Sequence, residues 1–292
     1  LVSMNSVQQQ INSLRKVLNR HNHEYYVLDN TTISDYEFDI KLKELEALEE
    51  AYPEYYNANS PSQRVGGTVT KNFQTLQHKN RMYSLDNSYS KEDLLDWEKR
   101  LQKNLGTEAI EFTCELKYDG ASINLTYENG EFVKAVTRGD GFQGDEVTSN
   151  IRTIKSIPLI LNADFISNFE IRGEIILPLE GFQKMNQERL ENGEETYRNP
   201  RNTASGSLKL QDSGEVAKRP LDCLLYQVVS NERTYSTHFE SLEASREAGF
   251  KVPDTIILAS SIDEVFHFVN KWDQKRHDLP YETDGVVIKV NN

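Results

Sequence analysis

The spacing of the hydrophobic residues changes once along this chain, and that change limits the folds it can form. Between residues 5 and 56 apolar side chains recur every three to four positions, as at Val7, Ile11 and Leu18. From about residue 110 they alternate in short runs separated by turn residues. The first spacing indicates helices and the second indicates strands. The sequence therefore predicts an α+β protein with a small helical N-terminal unit, followed by a domain of mainly antiparallel sheets with flanking helices.

The sequence shows where the second helix of the helical unit begins and where it ends. Ser34 is followed three positions later by Glu37, which is the capping-box pattern, and Pro53 predicts where that helix stops. The stretch 57–80 is rich in Asn, Ser, Pro and Gly and is predicted to be a linker. We therefore divide the chain into a helical unit at 1–66 and a second domain at 67–292.

The second domain carries clear strand signals. Asn129-Gly130 between two alternating runs is the strongest short hairpin signal. A helix is expected to begin near Ser90. Further strands are predicted at 110–117, 121–127, 132–137, 169–177, 221–229 and 285–290, with helices near 180–191, 238–248 and 262–275.

Composition excludes several classes of protein. A mean hydropathy of -0.66, without any long uncharged apolar run, excludes a transmembrane helix. No signal peptide is recognisable, and Leu1–Ser3 before Met4 are taken as foreign to the natural chain. Two cysteines form neither a disulfide framework nor a structural zinc site, which favours a reducing cytoplasm. A net charge of -13 argues against nucleic-acid binding by bulk electrostatics.

Four short charged segments stand out in the predicted sheet domain. Residues 114–120 read Cys-Glu-Leu-Lys-Tyr-Asp-Gly, and on a strand Glu115 and Lys117 share a face while Cys114 points to the core. Arg-Gly-Asp-Gly follows at 138–141, Arg-Gly-Glu at 172–174, and Asp-Gly-Val-Val-Ile-Lys at 284–289. Any one of them could be a half-exposed strand with solvated charges. Together they predict one shared cleft.

The order of these segments resembles that of the covalent nucleotidyltransferases, which include DNA ligases, RNA ligases and capping enzymes. Three further segments narrow the resemblance. They are Asp-Tyr-Glu-Phe-Asp at 35–39, Ser-Leu-Asp-Asn at 84–87, and Asn-Pro-Arg-Asn at 199–202 leading to Gly-Ser-Leu at 206–208. With these, residues 5–292 resemble the adenylation region of a bacterial NAD-dependent DNA ligase. The resemblance implies a nucleotidyltransferase domain of ATP-grasp-like fold.

The resemblance also implies a reaction, the first step of nick sealing in DNA replication and in the repair of DNA damage. Lys117 would attack the adenylyl phosphorus of NAD, release nicotinamide mononucleotide (NMN) and become lysine-AMP. Asp119 would orient Lys117, while Glu174 and Lys289 complete the catalytic set. The implied metal is Mg²⁺, with Mn²⁺ as an alternative, held by Glu174 and Asp284. Zinc is implied only for family regions outside this sequence.

Binding roles follow from the same resemblance. The NMN half of NAD would meet the helical unit, where an aromatic pair suits a cationic ring and carboxylates suit ribose hydroxyls. The alternative is that Tyr25 and Phe38 are a helix-packing pair. The implied NMN contacts are Tyr25, Tyr26, Asp35, Phe38 and Asp39, and those to adenosine are Ser84, Leu85, Glu115, Arg138 and Glu174. Lys289 would lie near adenine or the adenylyl phosphate. The phosphate-facing cations are Arg201, Lys209 and Arg276, and Asp284 binds on the metal side.

The sequence departs from the family pattern at four of its positions. Tyr118 replaces an aliphatic residue, Phe38 a frequent Tyr, and Tyr26 a His found in some members. Lys209 replaces a common Arg, which removes a bidentate fork and weakens its phosphate role.

Partners and location are further expectations. We expect a monomer in the bacterial cytoplasm, acting at the nucleoid and not at a membrane, that self-adenylates but does not seal nicks alone. Nicked duplex DNA would be a partner of the full-length enzyme, and weak for this fragment. Two alternatives stay open: a ligase or capping enzyme using ATP or GTP, and a nucleotide-binding scaffold without chemistry.

Overall fold

The computed structural model of the chain describes residues 4–161, 164–232 and 235–292, so Leu1–Ser3 lie outside it. The α+β prediction is confirmed. The helices in these ranges are α1 Met4–Tyr26, α2 Asp35–Ala51, α3 Lys91–Leu105, α4 Thr148–Ile151, α5 Leu179–Glu191, α6 Pro200–Leu208, α7 Ser213–Ala217, α8 His238–Glu247 and α9 Ile262–Lys275. None of these helices is long and apolar enough to cross a membrane. The strands are β1 Thr75–Gln77, β2 Phe112–Tyr118, β3 Ala121–Glu128, β4 Glu131–Thr137, β5 Gln143–Asp145, β6 Phe169–Ile176, β7 Asp222–Val229, β8 Ile257–Ala259 and β9 Thr283–Val290.

The helical unit is a pair, α1 and α2, with its own small core of Val7, Ile11, Leu18 and Leu45. The predicted cap is present, because Ser34 Oγ accepts a hydrogen bond from the Glu37 amide at 3.1 Å. The aromatic segment at residues 23–29 looks in the sequence like the connection between the two helices, but its first four residues belong to α1. α1 continues to Tyr26, whose terminal carbonyl accepts a hydrogen bond from Lys251 Nζ at 3.1 Å. A cation at a helix C-terminus stabilises the last turn.

A short helical turn at Pro61–Val65 fastens this pair to the second domain. Buried Arg64 donates to the carbonyls of Ile154 at 2.8 Å and Ile157 at 2.7 Å. Asn59 Nδ2 donates to the carbonyl of Phe132 at 2.9 Å. Ser60 Oγ donates to Glu49 of α2, so the stretch predicted as a linker begins with buried residues that are bonded to both parts of the chain.

Two larger antiparallel sheets build the second domain, and β1 and β5 form a separate two-stranded one. One of the larger sheets has the strand order β4-β3-β6-β7 and the other the order β8-β2-β9. The Asn129-Gly130 turn joins β3 and β4 with positive φ at both residues, 53° and 74°, as a two-residue hairpin of the predicted kind requires.

Each sheet has one apolar face and one polar face. Ile123, Leu125 and Ile171 lie in the core of the four-stranded sheet. Phe112, Cys114 and Leu116 lie in a second core to which α3 and α9 contribute. The intervening positions of the strands carry polar side chains, which include Ser122 opposite Glu174 and Thr113 opposite Lys289. The charged segments therefore lie on faces that the two cores leave free.

Candidate active site

Lys117 lies near the end of β2, on the same strand face as Glu115. Its side chain is half exposed, and its Nζ lies 3.6 Å from Asp284 Oδ2 on β9. Asp119, just beyond the strand, forms an ion pair of 3.6 Å with Arg201 Nε. Burial, with nearby Asp284 adding to it, raises the pKa of Asp119. An amine open to a ligand thus lies close to two carboxylates and a guanidinium.

Glu174 extends the same cluster from β6. Its Oε2 accepts a hydrogen bond from Ser122 Oγ at 3.0 Å. Burial raises the pKa of Glu174 to about 7, and the negative charges of Asp284 and Asp119 contribute, whereas Ser122 and Arg201 act in the opposite direction. Near neutral pH this carboxyl group can therefore exist in either protonation state.

Glu115 forms the centre of a second cluster, which sequence reasoning only half identified. Its side chain is 3% exposed, and its Oε2 accepts from Lys289 Nζ at 3.0 Å. Its Oε1 bonds His238 Nε2 at 2.5 Å. Burial alone would raise the pKa of Glu115, but the charge of Lys289 and the contact with His238 outweigh burial and lower it. Glu115 is therefore an ionised acceptor. His238, at the first position of α8, was missed because a histidine there looks like a surface residue.

Tyr226 on β7 lies between these clusters and was also missed. Lys289 Nζ donates to its carbonyl at 3.3 Å and lies 5.3 Å from the centre of its ring. Burial raises the pKa of Tyr226 to about 12, with the charge of Glu174 as the next cause, so the phenol stays neutral. An aromatic residue in a strand looks like core packing in a sequence. Here Tyr226, on the four-stranded sheet, instead contacts Lys289 of the three-stranded sheet.

Arg138, Ser84 and Leu85, which the resemblance assigns to adenosine, lie outside the helices and strands. Arg138 follows β4, and its buried Nε has no hydrogen-bond partner among the described residues. A buried donor of this kind is available to a ligand. Ser84 and Leu85 are exposed in the irregular segment between β1 and α3. That segment is tied to the sheet by Arg172, which donates to the carbonyl of Asn80 at 2.7 Å.

The three cations expected to face phosphates are not equivalent. Arg201 lies in the first turn of α6 and reaches Asp119 in the cleft. Lys209, which ends the same helix, forms an ion pair with Asp145 and is therefore already neutralised. Arg276 is exposed in the short turn after α9 and takes no part in the bonds described above.

Two of the five residues predicted in the helical unit, Tyr25 and Tyr26, lie at a different feature. The rings of Tyr25 and Tyr26 meet edge to face, 4.6 Å between centres, and line a cavity of about 490 Å³. Its other lining residues include Lys155, Lys218, Arg219 and Lys251, but none of the described residues of the Lys117 or Glu115 clusters. On α2, Asp35 and Asp39 are exposed. Phe38 packs against the core of the helix pair, whereas Tyr25 is exposed and lies outside that core.

The cleft offers few protein ligands for the implied Mg²⁺. Within the described ranges, no group of three or more His, Cys, Asp or Glu side chains is arranged to hold a metal ion. Mg²⁺ in nucleotide sites needs only one or two carboxylates, because phosphate oxygens and water complete its shell. Glu174, Asp284 and Asp119 together give an excess of negative charge that a cation would relieve. The residues therefore fit a magnesium ion held mainly through the phosphates of a substrate.

The exposed lysine among carboxylates and the buried acceptor cluster beside it fit the site of a covalent nucleotidyltransferase, the class that the sequence resembles. Residues 70–292 match the NAD-dependent DNA ligase adenylation domain, and residues 4–66 match the DNA ligase-like N-terminal NAD⁺-binding domain. The chain belongs to the family of NAD-dependent DNA ligase adenylation domains.

Relatives named DNA ligase match nearly the whole chain. One from Flavobacterium psychrophilum is 67% identical over 98% of this chain and 43% of its own length. One from Flavobacterium johnsoniae is 66% identical, with the same coverage. One from Cytophaga hutchinsonii is 51% identical over 97% of this chain and 42% of its own length. The chain thus spans less than half the length of these curated relatives.

Proposed function

We propose that this chain carries out the adenylation step of an NAD-dependent DNA ligase, with Lys117 as the nucleophile. The observation that carries the proposal is the position of Lys117 Nζ, half exposed and 3.6 Å from Asp284 in the cleft that also holds Glu174 and Arg201. The family to which the chain belongs supports the same reaction.

In this reaction the lone pair of Lys117 Nζ forms a bond to the adenylyl phosphorus of NAD. The bond from that phosphorus to the bridging oxygen breaks, and NMN leaves with the electron pair. Lysine must first lose its proton, since the ammonium ion has no lone pair. Asp284 is the nearest described carboxylate that can hold the ammonium group and take part in its deprotonation.

Charge in the cleft has to be balanced while the phosphates bind. Arg201 lies where it can turn from Asp119 to a phosphate oxygen. Glu174 and Asp284 would hold a magnesium ion, which neutralises phosphate charge when bound. We further propose that Glu115 and Lys289 bind the adenine, that Arg138 contacts the ribose, and that Ser84 and Leu85 cover the adenosine.

NAD, and not ATP, is the proposed donor, because residues 4–66 belong to an N-terminal NAD⁺-binding domain. Tyr25, Tyr26, Asp35 and Asp39 would bind the NMN half. Sealing of nicked DNA in replication and repair is proposed only for the whole protein. We also propose that this protein is cytoplasmic and monomeric.

Incubation with NAD or ATP, followed by intact-protein mass spectrometry, tests the proposal. We expect a gain of one AMP with NAD and none with ATP. Lys117→Ala should abolish the gain without unfolding the protein, whereas Lys184→Ala, an exposed lysine on α5, should leave it intact. Adduct formation with ATP would favour an ATP-dependent enzyme. Nucleotide binding without any adduct would favour a scaffold, and an adduct in Lys117→Ala would exclude this lysine as the nucleophile.

A further inference from the structure

Buried Glu115 is held from two sides by different parts of the chain. Lys289 on β9 is hydrogen-bonded to one carboxylate oxygen at 3.0 Å, and His238 on α8 is hydrogen-bonded to the other at 2.5 Å. The side chains of Glu115, His238 and Lys289 are 3%, 15% and 23% exposed, so water competes little for these bonds. The geometry leaves the carboxylate little freedom to rotate.

The hydrogen on the histidine can be assigned from its partners. An ionised carboxylate only accepts hydrogen bonds, so His238 Nε2 must be the donor to Glu115. Lys289 Nζ lies 3.4 Å from the same His238 Nε2, but an ammonium group is also only a donor. These two groups therefore do not bond each other, and Glu115 is the acceptor they share.

The position of His238 is fixed by a separate set of bonds. Its backbone amide donates to the carbonyl of Asn291 at 2.8 Å, and the Phe239 amide donates to Asn291 Oδ1 at 2.9 Å. Asn291 is buried and in turn donates from Nδ2 to Glu111 Oε1 at 2.6 Å. The start of α8 is thereby fastened to the end of β9, next to the strand that carries Glu115.

We infer that His238 is a positioning residue that holds Glu115 as a fixed acceptor for the 6-amino group of adenine. The inference rests on the proposed function, in which Glu115 meets the base. A carboxylate has about four acceptor positions. His238 and Lys289 occupy two of them, and the remaining ones can accept from an amino group. A base with a carbonyl at that position, as in hypoxanthine, would instead bring two acceptors together. His238 thereby contributes to the choice of adenine.

The test compares binding of AMP and IMP by calorimetry, which needs no chemistry at Lys117. In the unaltered protein we expect a strong preference for AMP. His238→Ala should lower the AMP-to-IMP affinity ratio by roughly tenfold, the effect of one well-placed hydrogen bond to a charged group. His238→Gln, whose amide nitrogen can reach the position of Nε2, should restore most of the ratio. His267→Ala, an exposed histidine on α9, is the matched control.

A second readout uses the reaction. With NAD and its hypoxanthine analogue as donors, His238→Ala should raise KM for NAD more than it lowers kcat of adduct formation. An unchanged AMP-to-IMP ratio in folded His238→Ala would overturn the inference, as would equal loss of both ligands with no rescue by Gln. Absence of any lysine-AMP adduct in the unaltered protein would instead contradict the proposed function, while the AMP and IMP measurement would still decide the role of His238.

Discussion

Replacing Glu174 by Gln should stabilise the protein at high pH and have little effect at low pH. Burial raises the pKa of this carboxyl group from an ordinary value of 4.5 to about 7 in the folded chain. The folded state therefore binds this proton more tightly than the unfolded state does. The protonated Glu174 contributes fully to the stability of the fold below pH 4.5, and this contribution is lost as the pH rises from 4.5 to about 7. Glutamine keeps an acceptor for Ser122 and carries no charge.

The size of the effect follows from the two pKa values. At about 1.4 kcal/mol for each pH unit that separates them, the ionised carboxylate costs the folded state about 3 kcal/mol at most. This is an upper limit, because the open cleft screens part of the charge. We expect Glu174→Gln to be more stable than the unaltered protein by about 2 kcal/mol at pH 8. At pH 5 most of that gain should be absent.

Thermal unfolding at pH 5 and pH 8 measures this difference, at roughly 2–4 °C for each kcal/mol in a protein of this size. Glu188→Gln, which removes an exposed carboxylate on α5, is the control and should shift neither transition appreciably. A stabilisation of the same size at both pH values would refute the reasoning, because it would arise from packing and not from ionisation. A destabilisation at pH 8 would show that charged Glu174 is needed by the fold.

Four further outcomes can be checked. Arg64→Ala should cost about 3 kcal/mol or more in chemical denaturation, since two buried carbonyls lose their donor; a smaller loss would mean that water replaces it. Gly120→Ala would bring a methyl group within 2.1 Å of the carbonyl oxygen of Ile175, so we expect lower stability and a displaced Lys117, measured as a slower AMP adduct. Asp35→Ala should slow adduct formation from NAD but leave the onward chemistry of preformed lysine-AMP intact, and equal loss in both assays would indicate misfolding. Nicked duplex DNA should bind this chain weakly and with a shallow salt slope in fluorescence anisotropy, because its net charge is -13; tight binding at physiological salt would contradict this.

Features set by neighbouring residues were predictable from the sequence. The cap at Ser34 depends on an amide three positions away, and the turn at Asn129-Gly130 depends on two residues that tolerate positive φ. Lys117 and Glu115 on one face of β2 follow from the alternation of a strand. Such features need no knowledge of the rest of the fold.

Features set by tertiary partners were not predictable in the same way. The last turn of α1 is stabilised by a hydrogen bond from Lys251 to the carbonyl of Tyr26, which is 225 positions away in the chain. His238 bonds Glu115, which is 123 positions away in the sequence, and no local sequence pattern predicts that contact. α6 is a partial exception. Asn199 accepts from the Asn202 amide and Pro200 follows it, which is a helix start that could have been recognised in a segment identified only as a motif.

The bonds of Asn59 and Arg64 bear on how a shorter catalytic protein could be prepared. A chain begun at residue 67 would lose both side chains and leave the carbonyls of Phe132, Ile154 and Ile157 facing an emptied groove. Exposed to water, those carbonyls would be satisfied, but the apolar surface around them would favour aggregation. A chain begun at residue 57 would keep the segment that contains Asn59 and Arg64 bonded to the sheet domain, even with the helix pair removed. The practical boundary for expressing the sheet domain alone therefore lies about ten residues before the one that composition indicates.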